Sequence, residues 1–208
     1  MKILIRSSSQ RSNSMSLEVS KYLVKHKVVE EKSITTSILD ISDFPALLHH
    51  YEGNHNEKII QNKKEVLDQL YSSDAFIFVV PEWGGMIPPG LVNLFLLTAN
   101  GSANGMPLGH KPGFIIGISA SGGGHNPIPL IKGYTAKNSH ITWISLHTII
   151  NNVEDFLAKE WNPTLNNRYS QIQSRLQVGI KALKIYAKSL KNVRNELVEL
   201  SKVHPFGQ

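Results

Sequence analysis

The chain has 208 residues, 22 Lys+Arg against 16 Asp+Glu, a formal charge of +6, and no cysteine. Without cysteine there are no disulfides, no thiolate-held zinc or iron–sulfur cluster and no thiol nucleophile, and no apolar run reaches the ~18 residues of a membrane-spanning helix. A hydrophobic content of 41% fits a soluble globular protein. The apolar part of MKILIRSSSQ is too short for a secretory signal, so a cytoplasmic location is expected. The charge is uneven: residues 1–158 carry 13 basic and 13 acidic side chains, and residues 159–208 carry 9 and 3. The whole excess therefore belongs to the last fifty residues.

Five short runs rich in Ile, Val and Phe read as strands: Lys2–Arg6, Ser33–Leu39, Ala75–Val80, Pro112–Ser119 and Ile141–Ile150. Their apolar residues run on rather than alternate, as in strands buried on both faces. Helical patterns fall between them at Ser16–His26, Lys58–Tyr71, Gly90–Ala99 and, more weakly, Ile128–Lys137. Alternating strands and helices predict an α/β fold, a doubly wound five-stranded parallel sheet with helices on both faces. Residues 1–208 read as one domain ending in an extended helix. In such a sheet, function gathers in the loops at the carboxyl ends of the strands.

Three of those loops are unusual. The first, Arg6–Ser16, has six serines among eleven residues. Hydroxyls and amides at a helix N-terminus suit a phosphate, and Arg11 adds a guanidinium fork. The plainer alternative is an N-cap with a polar lead-in. The loop has no glycine, which argues against a GxGxxG or GxxxxGK[ST] site. The second loop, Pro81-Glu82-Trp83-Gly84-Gly85-Met86-Ile87-Pro88-Pro89-Gly90, offers bare backbone at Gly84 and Gly85 and a stacking wall in Trp83; alternatively it is a stiff connector. The third, Ser119–Pro127, contains Gly122, Gly123 and Gly124, whose amides could meet a carbonyl edge. Together, a phosphate cradle, a flat platform and a glycine wall suit FMN at the switch point of a flavodoxin-like sheet.

These residues carry a family resemblance. The chain resembles the NAD(P)H-dependent FMN reductases, a branch of the flavodoxin-like fold. Their first-loop pattern, G-S-x-R-x-x-S, is met by Ser8-Ser9-Gln10-Arg11-Ser12-Asn13-Ser14 except at the leading glycine. Their second-loop pattern, P-E-Y-N-x-S-x-P-G-x-L-K-N, keeps register at Pro81, Glu82, Pro88, Leu91 and Asn93, with Trp83 in place of tyrosine. Lys111-Pro112 matches a "K-P" entry to the fourth strand, and the resemblance spans about residues 1–150. Gly84 stands where the family has asparagine, Met86 replaces serine, Pro89 glycine and Val92 lysine.

The resemblance implies that Ser9, Arg11, Ser14, Ser16 and the backbone near Met15 bind the FMN phosphate. It further implies that Pro81, Glu82, Trp83, Gly84 and Gly85 line the isoalloxazine, and that Ser121, Gly122 and Gly123 border it. NADPH or NADH would donate hydride, and a small acceptor such as a flavin, quinone or azo compound would take the electrons. No protein acid–base dyad is needed. The alternative is a non-catalytic FMN-binding electron-transfer or sensory protein, motivated by the altered platform loop. A nucleic-acid role for the basic end lacks interleaved aromatics or a motif, so no nucleic acid and no membrane is expected as partner.

Nine histidines raise the question of a metal, but His49, His50 and His55 lack paired zinc spacing, and no metal site is expected. His125 reads as a solvent-facing loop residue. No GxSxG elbow supports a hydrolase. From Tyr169 onward, Ile172, Leu176, Gly179, Leu183, Tyr186, Leu190, Val193, Leu197 and Leu200 recur at spacings of three and four. One helix over residues 169–202 would exceed a small domain's width, since residues 169–200 alone give about 48 Å. Its first half is expected to pack on the sheet and the excess to serve subunit association. The nearly all-apolar helix Gly90–Ala99 is a second candidate interface, so a homodimer or homotetramer is expected. Lys181, Lys188 and Lys202 share an outward position opposite the seam.

Overall fold

A computed structural model of the chain describes residues 1–26, 28–29, 31–45, 57–100, 106–135 and 139–204. Five strands form one sheet: β1 (Lys2–Ser7), β2 (Thr35–Asp40), β3 (Ala75–Pro81), β4 (Pro112–Ile118) and β5 (Thr142–Ile150). All neighbours are parallel, in the order β2-β1-β3-β4-β5. That is the flavodoxin-like order, with its switch point between β1 and β3. The helices are α1 (Met15–Lys25), α2 (Glu57–Tyr71), α3 (Pro89–Asn100), α4 (Pro127–Thr135), α5 (Val153–Leu157), α6 (Arg168–Lys191) and α7 (Arg194–Ser201).

The strand pleat sorts the apolar residues into two cores. Ile3, Ile5, Ile77, Val79, Phe114 and Ile116 point to one face and are covered by α1, α5 and α6 through Val19, Leu23, Phe156, Leu176, Ile180 and Leu183. Leu4, Phe76, Phe78, Val80 and Ile115 point to the other, under α2, α3 and α4 through Val66, Leu70, Leu91, Leu94, Phe95 and Ile131. Both faces are closed, which is why the strands lack polar alternation.

Lys111 explains the K-P entry to β4. Its side chain is 1% exposed, and its Nζ donates to the carbonyls of Leu70 and Tyr71 at 2.7 and 2.9 Å. It therefore caps the C-terminal end of α2, where carbonyls have no helical partner.

Two expectations need correction. The C-terminal helix is not continuous: it breaks at Asn192–Val193, and the Val193 amide turns back to the Leu190 carbonyl at 3.2 Å. Most of α6 is spent on the chain's own sheet, since Leu176, Ile180, Leu183 and Ala187 are all buried. Helix α5 was not anticipated; Val153 and Phe156 anchor it in the first core. Gly179, the one gap in the seam, has a steric cause. A Cβ there would lie 2.4 Å from the Phe114 ring, so glycine lets α6 lie directly over β4. Gly179→Val should lower the unfolding free energy by about 2 kcal/mol in urea denaturation, because overpacking a buried ring costs more than valine's small helix advantage over glycine returns.

Candidate functional site

At the carboxyl edge of the sheet, beside the switch point, lies a cavity of about 240 Å³. Its lining includes Ser9, Arg11, Ser14, Met15, Ser16, Pro81, Glu82 and Trp83, eight of the residues singled out from the sequence. Ser12, Asn13, Ile118, Ser119, Ala120 and Val153 complete it. Gly84 and Gly85 sit just beyond, in the turn of the second loop. Ser121, Gly122 and Gly123 are not part of the lining; the third loop meets the cavity two residues earlier, at Ser119 and Ala120.

The first loop is built from serine. Ser14 is the N-cap of α1: its Oγ accepts from the Leu17 amide at 3.2 Å. Ser16 Oγ is fully buried, 2.9 Å from Ser14 Oγ and 3.2 Å from Ser7 Oγ. Ser9 Oγ accepts from the Arg11 amide at 3.2 Å. The capping reading therefore applies, and it also leaves a ring of hydroxyls and the α1 N-terminus facing the cavity. Arg11 is exposed and its guanidinium lies 4.3 Å from the centre of the Trp83 ring, a cation–π contact that joins the first loop to the second. Gln10 adds another tie, its Oε1 accepting from the Gly90 amide at 2.8 Å. At the root of the loop, Arg6 is fully buried and donates to the Leu39 carbonyl at 3.0 Å. Burial pushes its guanidinium down to about 9, against the attraction of Asp40 and Asp43.

The second loop is a tight hairpin. The Trp83 amide donates to the Met86 carbonyl at 2.9 Å and the Met86 amide to the Trp83 carbonyl at 3.0 Å. Between them Gly84 and Gly85 have φ of 56° and 81°, the two positive values of a type I′ turn. The asparagine of the resembled family also tolerates that conformation, so Gly84 keeps the turn. A Cβ at Gly84 would meet nothing within 4 Å.

Sequence reasoning missed what Glu82 does. Its carboxylate reaches across to the third loop and accepts from the Gly124 amide at 2.6 Å, the Asn126 amide at 3.4 Å and Asn126 Nδ2 at 3.3 Å. The third loop also folds back over β4, where a Cβ on Gly117 would fall 2.1 Å from the Gly124 carbonyl oxygen. Start residues of α5 hold its other side: the Asn152 and Val153 amides donate to the Ser121 and Ser119 carbonyls at 3.0 and 3.1 Å. The glycines there serve close packing as much as any ligand, and no local pattern announces a carboxylate bonded forty residues away.

Among the described residues no group of three or more His, Asp or Glu side chains could hold a metal ion. His49, His50 and His55 lie outside the described residues. His125 is exposed. No described helix is long and apolar enough to cross a membrane. If Glu82 is the clamp on the third loop, Glu82→Ala should speed exchange of the Gly124 amide by roughly 10- to 100-fold, the worth of a hydrogen bond to a charged group. Amide hydrogen exchange read by NMR measures it, with the Leu17 amide as an internal reference.

The chain is similar in fold to several solved flavoenzymes. An NADH:FMN oxidoreductase (EMOB) in its apo form superposes with a TM-score of 0.66 at 16% identity, over 88% of each chain. An oxidoreductase from Corynebacterium diphtheriae gives 0.66 at 12% identity, over 90% of this chain and 97% of that one. FerB, an NAD(P)H:(acceptor) oxidoreductase from Paracoccus denitrificans, gives 0.59 at 17% identity, over 90% and 97%. No curated protein matches the sequence. The profile of the NADPH-dependent FMN reductase family, however, matches residues 1–131, which include β1, β3, β4 and all three loops. The chain therefore belongs to the NADPH-dependent FMN reductase family: it is an NAD(P)H-dependent oxidoreductase with FMN as its cofactor.

Proposed function

We propose that the cavity at the carboxyl edge holds FMN and that the enzyme delivers electrons to a small planar acceptor, a flavin, quinone or azo compound. One observation carries this reading: the loops after β1, β3 and β4 converge on one cavity, with hydroxyl, amide and guanidinium donors on one side and an aromatic–glycine hairpin on the other. The donor set fits a phosphate. Ser9, Arg11, Ser14 and Ser16 with the Met15 backbone would hold it, and the α1 N-terminus favours its charge. Pro81, Glu82, Trp83, Gly84 and Gly85 would flank the ring, with Ser121, Gly122 and Gly123 at the outer border.

Bound FMN supplies the redox chemistry, taking hydride from NAD(P)H and passing two electrons on. The protein's own residues bind and orient. Ser14 and Ser16 are held by their mutual hydrogen bond, so their place is set before any ligand arrives. Trp83 is fixed by its hairpin. Glu82 keeps the third loop against the platform and touches its amides, which makes it a positioning residue. At the closing pair of the hairpin, Met86 is 64% exposed and offers an apolar side chain to a planar acceptor.

We also propose that residues 1–208 act as one unit that self-associates. Within the C-terminal seam, Tyr186, Val193 and Leu200 are exposed at 41, 43 and 63%; they are the part of the seam that the sheet does not cover. Leu96 on α3 is exposed as well. Truncation at the start of α6 would remove core residues. Leu200→Glu, at an exposed site, is the cleaner variant and should lower the mass in light scattering without lowering the Tm.

Purified protein loaded with FMN should show a flavin absorption band that bleaches on anaerobic addition of NADPH or NADH and returns with a quinone or azo dye. A band that bleaches and then fails to return with any quinone, azo dye or free flavin would overturn the acceptor reading. Arg11→Ala should weaken FMN retention by about tenfold or more, the loss of one charge-assisted contact, as measured by ultrafiltration.

A further inference from the structure

The opposite, amino-terminal edge of the sheet carries a second polar cavity, of about 180 Å³. It lies where the loops entering β3 and β4 meet the break between α6 and α7, and its lining includes Asp74, His110, Lys111, Lys191, Arg194 and Asn195. The flavin reading makes no use of it.

The charges there do not balance. Lys111, Lys191 and Arg194 face a single carboxylate, Asp74, whose Oδ2 already accepts from the Lys2 amide at 2.8 Å. Arg194 spends Nε on the Gly109 carbonyl at 3.0 Å. Neither it nor Lys191 has a carboxylate within ion-pair distance among the described residues. Lys111 is 1% exposed and gives two N–H bonds to the end of α2. Two of the three donors of its ammonium are thus spent on α2, and Nζ also lies 5.6 Å from the centre of the Phe76 ring, so Lys111 contributes charge at the cavity wall. His110 turns its Nε2 to Ser201 Oγ at 2.8 Å, fixing α7 against this corner.

The protonation equilibria agree with the geometry. Burial pushes Lys111 down to about 7, with Arg194 adding repulsion, Asp74 attraction and Lys2 further repulsion. His110 is lowered by burial, then by His140 and Arg194. Arg194 is lowered by burial against the pull of Asp74. Arg194 and Lys191, with Lys111 about half protonated near neutral pH, thus share a pocket short of negative charge. Arg194 and Asn195 are the first two residues of α7, and Val193 before them provides no side-chain cap; Glu196, the acidic residue of that turn, lies outside the cavity lining.

We propose that this pocket binds a phosphate-class oxyanion, held by Arg194 and Lys191 with the first turn of α7, while Lys111 lends charge from the wall. Such a ligand supplies the missing charge at a joint where two helices and two strand entrances meet. The shared chemistry is a tetrahedral dianion, either free phosphate or the phosphate of a small monoester.

The test uses FMN-loaded, uniformly ¹⁵N-labelled protein, titrated with inorganic phosphate and separately with ribose 5-phosphate, each at an ionic strength fixed with sodium chloride. Loading with FMN keeps the first loop from answering in its place, and residue-specific shifts distinguish the two edges even where FMN fails to bind. The expected result is saturable shifts of the Asp74, Lys111, Arg194 and Asn195 amides in at least one titration. Tighter binding of ribose 5-phosphate identifies a monoester as the source; tighter binding of inorganic phosphate identifies the free ion. Lys191→Gln, at an exposed position, should weaken binding by about tenfold, and Arg194→Gln by at least as much. Absence of saturable shifts at these amides with both ligands, or affinity unchanged in Lys191→Gln and Arg194→Gln alike, overturns the proposal.

Discussion

A parallel sheet buried on both faces leaves polar chemistry nowhere to go but the ends of its strands. In this chain that constraint is strict. Every residue of β4 is buried, and β3 is buried up to Val80. The two edges of the sheet then differ because backbone polarity differs along the strands and helices. At the carboxyl edge, helix α1 presents its N-terminus between β1 and β3, and hydroxyls gather around it. At the amino edge, α2 ends, and the carbonyls it leaves over draw in Lys111.

The carboxyl edge works as a site only if three loops from three strands stay in register. The structure achieves this with few interactions, each between loops rather than within one. Glu82 bonds the third loop from the second, Arg11 stacks on Trp83 from the first, and Gln10 takes the amide at the start of α3. Backbone geometry does the rest: the type I′ hairpin at Gly84–Gly85 and the close approach of Gly124 to Gly117. Because these devices depend on the backbone, the departures of the second loop from its family pattern change less than their number suggests. Glycine for asparagine preserves a positive φ, and a tryptophan provides a wider surface for the guanidinium than a tyrosine.

Strands and most helices were legible because their signal is local. Dense Ile/Val/Phe runs ended within two residues of the observed boundaries, and the helical pattern from Ser16 began one residue inside the observed start of α1 at Met15. What was not legible depends on distance in the chain. The role of Glu82 needs Gly124 and Asn126, and Gly179 needs Phe114. The break at Asn192–Val193 has neither proline nor glycine, and the three–four spacing of apolar residues runs straight through it. The cause is tertiary: past the break Arg194 is pinned to Gly109 and Ser201 to His110, so α7 follows the corner of the sheet. The third loop was placed at its glycines, which draw the eye, whereas its contact with the cavity comes from Ser119 and Ala120, which have no distinctive composition.

The uneven charge of the sequence acquires a structural meaning from the same corner. A lysine-rich helix face would be a solubility feature if all its cations were solvated. Lys181 and Lys188 are exposed and fit that description. Lys184 does not: it is largely buried and lies 2.8 Å from Glu31, tying α6 to the segment before β2. That pair holds Glu31 below its usual range. Nor does Arg194, half-buried at the start of α7 beside Lys111. The basic end of the chain therefore divides into cations facing solvent, cations spent on attachment, Lys184 to Glu31 and Arg168 to Asn151, and Arg194, turned inward where the fold supplies one carboxylate. A fold gains nothing in stability by collecting like charges at a joint; their attraction for an anion is the property such a collection retains.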